Sequence, residues 1–407
     1  MTHELTALPL GSVLVHLGPH KTGSSALQST LHHQRSALLE HGVLYPGTDQ
    51  RHYRAEWALT GRQPRGTHRV PPVRWDELVE EVRASSADRV CISSEGFAAA
   101  EPSAVEKLVR DLGEDRVHVV LSARRLDRLL PSAWQQRVQG SHERRSYDMW
   151  LRKVLDGDPM RGPHRKFWRN HDLEVLLRRW TAALPPERVL VMVVDEDDRS
   201  AQLRTFEQLL GLPAGLLVPG PRENRSLSYD RVELLRRINA VFHEHGWSHQ
   251  HRLKLVTRGL QRGLLGAERE QSERGVPDLP RWAADRVAEL SNARVDAVRS
   301  SGARVIGDLE LLRPPPRDLP DDVPEEPDDI PIEVATRAVE ELVAAAVKLE
   351  ATARKQAVRQ ERRSRRARRR RPRRRRPAAR SVDDLSSKEL LRVVARRQRA
   401  RLLGRRR

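Results

Sequence analysis

The residues with the clearest chemical potential form the segment 18–25, GPHKTGSS, which lies between an apolar run and a helical pattern. A loop that leads from a buried strand into a helix points backbone N–H groups and the positive end of the helix dipole at one spot, where anions bind. Glycines permit a tight backbone path, hydroxyls add donors, and a lysine supplies charge. The sequence therefore predicts a phosphate cradle made of Gly18, Lys21, Thr22, Gly23, Ser24 and Ser25.

A second chemically useful segment follows the third apolar run of the chain. Arg124 stands at the end of that run, and Ser132 comes eight residues later within a helical pattern. A guanidinium group with a hydroxyl suits an additional phosphate group, one that ATP and GTP lack. The neighbouring Arg125 and Arg128 fit a solvated basic turn better.

The order of residues in the first loop differs from a Walker motif, in which the lysine directly follows the second glycine. Here Lys21 precedes Gly23 by two positions. The order P-x-K-T-G-S-S resembles the 5′-phosphosulfate loop of sulfotransferases that use 3′-phosphoadenosine 5′-phosphosulfate (PAPS), and an Arg followed eight residues later by a Ser is similar to their 3′-phosphate motif. The resemblance implies PAPS as co-substrate and PAP as product, with Arg124 and Ser132 on the 3′-phosphate. It also implies a loop over the nucleotide near Arg222 and Arg225.

Transfer of a sulfuryl group needs a group that takes a proton from the acceptor. Glu95, just after the second apolar run, is the first candidate, because several enzymes that the sequence resembles use a glutamate at a comparable place. Alternatively, Glu95 caps the helical turn that follows it. His20, inside the cradle, is the second candidate, whereas His16 within an apolar run is more typical of a hydrogen-bonded core residue. The predicted catalytic set is Lys21, Glu95 and His20, with Lys21 stabilising the leaving group.

Apolar, β-branched runs precede these residues at 12–17, 89–93, 116–122 and 188–194. They are apolar on both faces and separated by helix-length amphipathic stretches, which predicts buried strands of a parallel sheet. Residues 25–40 predict the helix after the first strand, and 229–312 is mainly helical in pattern. The order of elements predicts an α/β fold with a three-layer, P-loop-like parallel sheet flanked by helices. Because parallel strands end at one edge, the candidate residues are expected to meet there.

The composition excludes several classes of protein. A chain of 407 residues with one cysteine is not a small disulfide scaffold. No apolar run approaches the roughly 20 residues that a bilayer helix needs, and no signal-type segment is recognisable, so we expect a soluble, cytoplasmic protein. The 16 histidines and the single thiol have no metal-ligand spacing, so no metal site is expected.

The C-terminal part of the chain differs in composition from the body. Residues 351–407 hold 25 basic and four acidic side chains, against a net charge of +19 for the whole chain, so the body is close to neutral. A proline- and acid-rich stretch predicts an extended linker. It precedes a helix with apolar residues at alternating three and four spacing, from Ile332 to Ala353, and then an arginine-rich run at 362–376. We predict a domain at 1–312, a linker at 313–331 and a helical, partly disordered, Arg-rich tail at 332–407.

Three functions fit these patterns. The first is a PAPS-dependent sulfotransferase that transfers a sulfuryl group to a hydroxyl or amine of a small molecule, glycan, lipid or peptide. The second is a P-loop kinase-like enzyme, which would need Mg²⁺ and an acidic strand end. The third is an inactive nucleotide-fold protein whose tail binds nucleic acid or an anionic membrane surface. A solvated tail is the favoured alternative to such binding, and self-association through 332–353 is as compatible with the pattern as packing on the body.

Overall fold

The computed structural model describes residues 5–63, 69–140, 142–157, 165–198, 200–220, 227–323 and 325–370, together with 386, 388, 391, 392, 394 and 395. The chain divides into two compact units, 1–345 and 346–407. The first contains the sheet and the helices around it. The second begins within a long helix that ends at Arg370, and the side chains of the arginine-rich run lie outside the described residues.

The first unit is built on a sheet of six parallel strands. Their order across the sheet is β2-β3-β1-β4-β5-β6. The strands are β1 (Ser12–Leu17), β2 (Val43–Leu44), β3 (Arg89–Ser93), β4 (Val117–Ala123), β5 (Val189–Val193) and β6 (Arg304–Ile306). The four long strands confirm the four predicted runs. The sequence did not predict β2 and β6, because two or three residues are too few to establish a periodicity.

Helices cover both faces of the sheet. Alternate residues of each strand point to opposite faces of the sheet, so each apolar run contributes side chains to two separate hydrophobic cores. Val13, Val15 and Leu17 belong to one core, and Leu14 belongs to the other. The first face carries α3 (Tyr53–Thr60), α4 (Val73–Ala84), α5 (Pro102–Leu112), α9 (Leu173–Thr181) and the C-terminal half of α14 (Arg281–Ser300). The second face carries α1 (Ser24–His33), α2 (Arg35–Glu40) and α10 (Ala201–Leu210). The result confirms the predicted three-layer α/β fold.

The predicted helix over 25–40 is interrupted. Gln34 leaves the helical conformation at φ −102° and ψ 16°, so α1 and α2 are separate helices. The first face also differs from the second at the carboxyl edge, where β3 continues into a 3₁₀ turn, Glu95–Ala99. These two features fix where the cradle and Glu95 start from the sheet.

A third apolar cluster lies among helices beyond the sheet. It is formed by α6 (Leu126–Gly140), α7 (Tyr147–Leu155), α8 (Arg165–His171), α11 (Tyr229–Glu244), α13 (Gln261–Gly266) and the N-terminal half of α14, and α12 (His249–Arg252) follows α11 beside it. A π-helical stretch, Leu253–Leu260, joins α12 to α13. This cluster supplies the helices that follow β4, and so holds α6 in place.

The proline- and acid-rich segment lies along this helical cluster. The backbone N–H of Arg281 donates to the carbonyl of Pro320 at 2.8 Å, and the Arg236 guanidinium pairs with Glu326 at 2.5 Å. The next helix, α15 (Ile332–Arg370), begins at the predicted residue. Its buried face in the first unit runs through Val334 and Ala338, whereas Ile332 of the predicted apolar seam is 71% exposed. The first turns of α15 therefore pack on the body through Val334, Ala338 and the half-buried Leu342, of which only Leu342 belongs to the predicted seam.

Candidate active site

The carboxyl edge of the sheet has a switch point beside β1. From β1 the chain runs to β2 and β3, which lie on one side of β1, and then to β4 on its other side. The loops after β1 and β4 therefore leave the sheet in opposite directions. Open parallel sheets bind ligands in the crevice that such a divergence creates. The loop 18–23 follows β1, and Arg124 follows β4. The two predicted anion-binding segments thus border one crevice.

The cradle ends at the N-terminus of α1 without a side-chain cap. Gly23 precedes the helix at φ 85°, and Lys21 is one of the few non-glycine residues with a positive φ, 71°. The first N–H groups of a helix have no partner within the helix, so they favour an anion where no side chain caps them. The loop presents an uncapped positive helix end next to the lysine.

The loop hydroxyls point back into the loop. Thr22 Oγ1 donates to the carbonyl of Pro19 at 2.8 Å, and Ser24 Oγ donates to the carbonyl of Gly18 at 3.1 Å. Both side chains are buried, whereas Ser25 is exposed. The hydroxyls of Thr22 and Ser24 therefore hold the shape of the cradle, and the backbone N–H groups are what remains to meet an anion.

Gly18 is required by close packing at the base of the cradle. A Cβ at this position would lie 2.5 Å from the Cβ of Ser24 and 2.7 Å from the imidazole of His16. We expect Gly18→Ala to lower the free energy of unfolding by about 1–3 kcal/mol through overpacking, as measured by urea denaturation. The control is Gly140→Ala in α6, where no atom lies within 4 Å and the added methyl should be neutral or stabilising by up to about 1 kcal/mol. Equal effects of the two changes would contradict this account.

The ammonium group of Lys21 makes no ion pair with a described residue. Burial lowers its pKa, and the positive charge of Arg124 acts in the same direction, against the opposing influence of Glu95. A half-buried cation without a partner is costly unless an anion joins it. The geometry at Lys21 fits a phosphate or sulfonate ligand.

Arg124 is held by a carboxylate that the sequence analysis did not assign. Its Nε and Nη2 donate to the two carboxylate oxygens of Glu196 at 2.5 and 2.8 Å, and its Nη1 donates to the carbonyl of Lys21 at 2.8 Å. Burial alone would raise the pKa of Glu196, but the hydrogen bond and charge of Arg124, together with the charges of Arg125 and Arg128, outweigh burial and lower it. A guanidinium has five N–H groups, so two remain for a phosphate. Glu196 follows β5, the neighbour of β4, which explains why the strand order brings the pair together.

The second predicted 3′-phosphate ligand is less constrained: Ser132 is half-buried in α6, and the described part of the chain provides no hydrogen-bond partner for its hydroxyl. Of the two arginines predicted in a solvated basic turn, Arg128 has a side chain that is 41% exposed and lies 4.0 Å from Asp278. The prediction is wrong for Arg125, whose side chain is 13% exposed and pairs with Asp127 at 3.1 Å. Arg222 and Arg225 lie outside the described residues.

Glu95 lies at the start of the 3₁₀ turn after β3 and contacts two basic side chains. Its Oε2 accepts a hydrogen bond from Arg51 Nη1 at 2.8 Å and lies 2.8 Å from Nδ1 of His20. The N–H direction of the ring is off that line, so the second contact is an ion-pair distance without full hydrogen-bond alignment. Burial alone would raise the pKa of Glu95, but His20, Arg51 and Lys21 together outweigh it and lower that pKa. The structure thus brings Lys21, Glu95 and His20 together beside the cradle.

Two buried side chains, His16 and Glu56, stabilise the strand ends that carry this arrangement. The imidazole of His16 in β1 bridges Ser93 Oγ of β3 at 2.8 Å and Ser122 Oγ of β4 at 3.0 Å, and burial lowers its pKa to about 3. His16 is therefore a neutral, hydrogen-bonded link between three strands. Glu56 of α3 accepts a bond from Ser94 Oγ at 2.8 Å, and burial raises its pKa to about 7.

His171 and Arg294 are neighbours of the site that the sequence did not indicate. Arg294 of α14 donates from Nη1 to the backbone carbonyl of Arg124 at 2.9 Å. His171, the last residue of α8, is influenced by the charges of Arg294 and His20. Neither stands in a motif, because each lies on a helix more than 30 residues away from the two predicted anion-binding segments.

Among the described residues, no group of three or more His, Cys, Asp and Glu side chains could hold a metal ion. None of the described helices combines the length and the apolar character needed to cross a bilayer.

Comparisons with known proteins give a distant structural likeness. No protein-family model matches the chain, and no curated protein matches it. A solved structure similar to it is the sulfotransferase from Alicyclobacillus acidocaldarius, with a TM-score of 0.37 and 15% sequence identity over 59% of this chain and 96% of that chain. At that similarity, the activity has to be argued from the side chains themselves.

Proposed function

We propose that this chain is a sulfotransferase that moves a sulfuryl group from PAPS to a hydroxyl or amine acceptor. The observation that carries the proposal is the meeting of two anion-binding groups at the switch point, the Lys21 cradle after β1 and Arg124 after β4. PAPS carries two anionic groups, a phosphosulfate at its 5′ end and a 3′-phosphate, and we assign the first to the cradle and the second to Arg124.

The residues of the crevice fit this donor. The uncapped N–H groups at the start of α1 and the unpaired ammonium of Lys21 would take the phosphosulfate. The two unused N–H groups of Arg124 would take the 3′-phosphate, with Glu196 keeping the guanidinium in its orientation. Ser132 is proposed as a second donor to that phosphate.

The transfer of the sulfuryl group requires little of the protein beyond positioning and electrostatic stabilisation. The acceptor oxygen or nitrogen forms a bond to sulfur, the bond from sulfur to the bridging phosphate oxygen breaks, and PAP leaves with the charge of that oxygen. Positioning and electrostatic stabilisation dominate such in-line transfers. Lys21 is suited to stabilise the charge that develops on the bridging oxygen.

We assign the removal of the acceptor's proton to the pair of His20 and Glu95. The side chain of His20 is 44% exposed, whereas that of Glu95 is 10% exposed and already pairs with Arg51. A neutral imidazole can accept a proton, and a carboxylate beside it stabilises the imidazolium that forms. We therefore assign the proton transfer to His20 and the orienting role to Glu95. Catalytic hydrogen bonds commonly align fully only when substrate is bound.

Calorimetry with PAP and ATP, each with and without Mg²⁺, tests the proposed donor. We expect PAP to bind without a metal ion and more tightly than ATP, because ATP lacks the 3′-phosphate. Arg124→Ala should weaken PAP binding about 10- to 100-fold, the value of a charge-assisted hydrogen bond or two. Arg128→Ala, a change of the same kind in the same segment, is the control and should leave the affinity unchanged. Binding of ATP that requires Mg²⁺, or an Arg124→Ala variant with full PAP affinity, would favour the kinase-like alternative.

A further inference from the structure

The residues at the start of α3 contact the segment 93–96, which contains Glu95. Arg51 Nη1 donates to Glu95 Oε2 at 2.8 Å. The backbone N–H of His52 donates to the carbonyl of Ser93 at 3.1 Å, and the N–H of Ser93 donates to Nδ1 of His52 at 3.0 Å. Hydrogen bonds therefore join the N-terminal end of α3 to the end of β3 and to the side chain of Glu95.

Glu56, one turn into α3, contacts the residues on both sides of Glu95. Its Oε2 accepts a hydrogen bond from Ser94 Oγ at 2.8 Å. Its carboxylate also lies directly against Gly96, where an added Cβ would overlap both carboxylate oxygens. Glycine at position 96 therefore leaves the space that this carboxylate fills, between the residue before Glu95 and the residue after it.

The carboxyl group of Glu56 is not explained by packing. It is 6% exposed, and burial raises its pKa to about 7 against the opposing effects of Ser94, Arg51 and Gly96. Burial of a carboxyl group costs free energy, and an apolar side chain of similar size would avoid that cost. What the carboxyl group adds is the hydrogen bond with Ser94 and the close contact with Gly96.

These two contacts bear on the direction of the Glu95 side chain. The peptide groups on either side of a residue set the direction in which its Cβ leaves the backbone. Oε2 of Glu95 lies 2.8 Å from Nδ1 of His20, and groups that act together in a site must be held to within about 0.5 Å of the productive geometry. A change in the backbone at 94–96 would therefore move the carboxylate away from the imidazole.

We propose that Glu56 is a positioning residue, which fixes the backbone on both sides of Glu95 and so keeps that carboxylate beside His20. This inference rests on the proposed function, in which His20 takes the acceptor's proton and Glu95 orients the imidazole. Glutamine has the same length as glutamate and keeps an acceptor for Ser94 Oγ. Glu56→Gln should therefore preserve the position of Glu95, whereas Glu56→Ala should lose it.

The ¹⁵N NMR signals of the His20 imidazole, recorded on the full chain without donor or acceptor, test this inference. His20→Asn assigns them by their loss. Glu95→Gln removes the charge beside Nδ1 and should shift these signals. Glu56→Ala should shift them in the same direction, and Glu56→Gln should leave them close to those of the parent.

Two further variants serve as a control and as a second route to the same contact. Glu207→Ala is the control, because Glu207 is a buried glutamate of α10 on the second face that accepts the N–H of Leu217 at 2.7 Å. It should lower the melting temperature without shifting the His20 signals. Gly96→Ala displaces the carboxylate of Glu56 and should shift the signals as Glu56→Ala does. It carries the test if Glu56→Ala does not fold.

The turnover number gives an independent readout of the same role. Glu56→Ala should lower it about 10- to 100-fold, the effect of a misplaced catalytic group, while the affinity for PAP stays within about threefold. In a Glu95→Gln background Glu56→Ala should cost little more, because residues that act as a unit are not additive. An unchanged additional loss in that background would show that Glu56 does not act through Glu95.

The outcomes separate this inference from the proposed function. His20 signals that do not shift in Glu56→Ala or in Gly96→Ala overturn the inference. Equal losses of turnover in Glu56→Gln and Glu56→Ala also overturn it, since they would make the Glu56 carboxylate itself the proton acceptor. If the parent protein fails to bind PAP while the His20 signals respond as expected, the proposed function fails and the positioning of Glu95 by Glu56 stands.

Discussion

Replacement of Lys21 by alanine is expected to lower the turnover number about 10²- to 10³-fold, the usual effect of removing one stabilising group from a developing negative charge. The physical reason is the position of the ammonium group, half-buried beside an uncapped helix N-terminus and without an ion-pair partner in the described residues. In such surroundings a charge acts on a leaving oxygen more strongly than in water. The measurement is PAP formation from PAPS, with 4-nitrophenol as the probe acceptor and water as the background acceptor.

The control for this prediction is Lys107→Ala. Lys107 is an exposed lysine of α5 that pairs with Asp111, on a helix away from the carboxyl edge of β1. It should leave the turnover number unchanged. A Lys21→Ala variant that forms PAP within about threefold of the parent rate would contradict the leaving-group role, since that role requires a far larger loss.

Replacement of Glu95 by glutamine is expected to lower the turnover number about 10²- to 10⁴-fold and to leave the affinity for PAP nearly intact. The amide keeps the shape of the side chain but removes the negative charge that lies 2.8 Å from both His20 and Arg51. Without that charge, the imidazolium formed by proton transfer loses its stabilisation. The split between a lost rate and a retained affinity is the readout that a merely structural role would not give.

Two further variants sharpen the test of Glu95. Glu56→Gln makes the same change at a nearby buried carboxyl group, and burial raises the pKa of Glu56 to about 7, so an amide there alters the charge less. We expect a much smaller loss of turnover from Glu56→Gln than from Glu95→Gln.

The variant His20→Asn should lower the turnover number as much as Glu95→Gln if His20 takes the proton, and the double variant should lose little more. A small loss for His20→Asn with a large loss for Glu95→Gln would assign the proton to the carboxylate directly.

Local sequence patterns predicted much of this fold. The four long strands, the α/β order and the cradle follow from runs of apolar residues and from glycine and hydroxyl residues within a few positions of one another. Such signals are local, since a strand or a helix start depends on neighbours in the sequence. The sequence also placed Lys21, Glu95 and Arg124 at strand ends, and parallel strands bring their ends to one edge.

Contacts between distant segments could not be predicted in this way. The strand order puts β1 between β3 and β4, and only that order joins His16 to Ser93 and Ser122. The pairing of Arg124 with Glu196 spans 72 residues, and the bond from Arg294 to the carbonyl of Arg124 spans 170. A pair of that separation leaves no periodicity in the chain.

The sequence by itself thus determined which segments become strands and which loop leads into the uncapped start of α1, because short-range spacing sets both. The tertiary structure decided how the side chains of those segments are used. It turned the hydroxyls of Thr22 and Ser24 into the loop, and it set His20 against Glu95. Side-chain direction depends on packing against elements from elsewhere in the chain, and that packing exists only once the sheet and its helices have assembled.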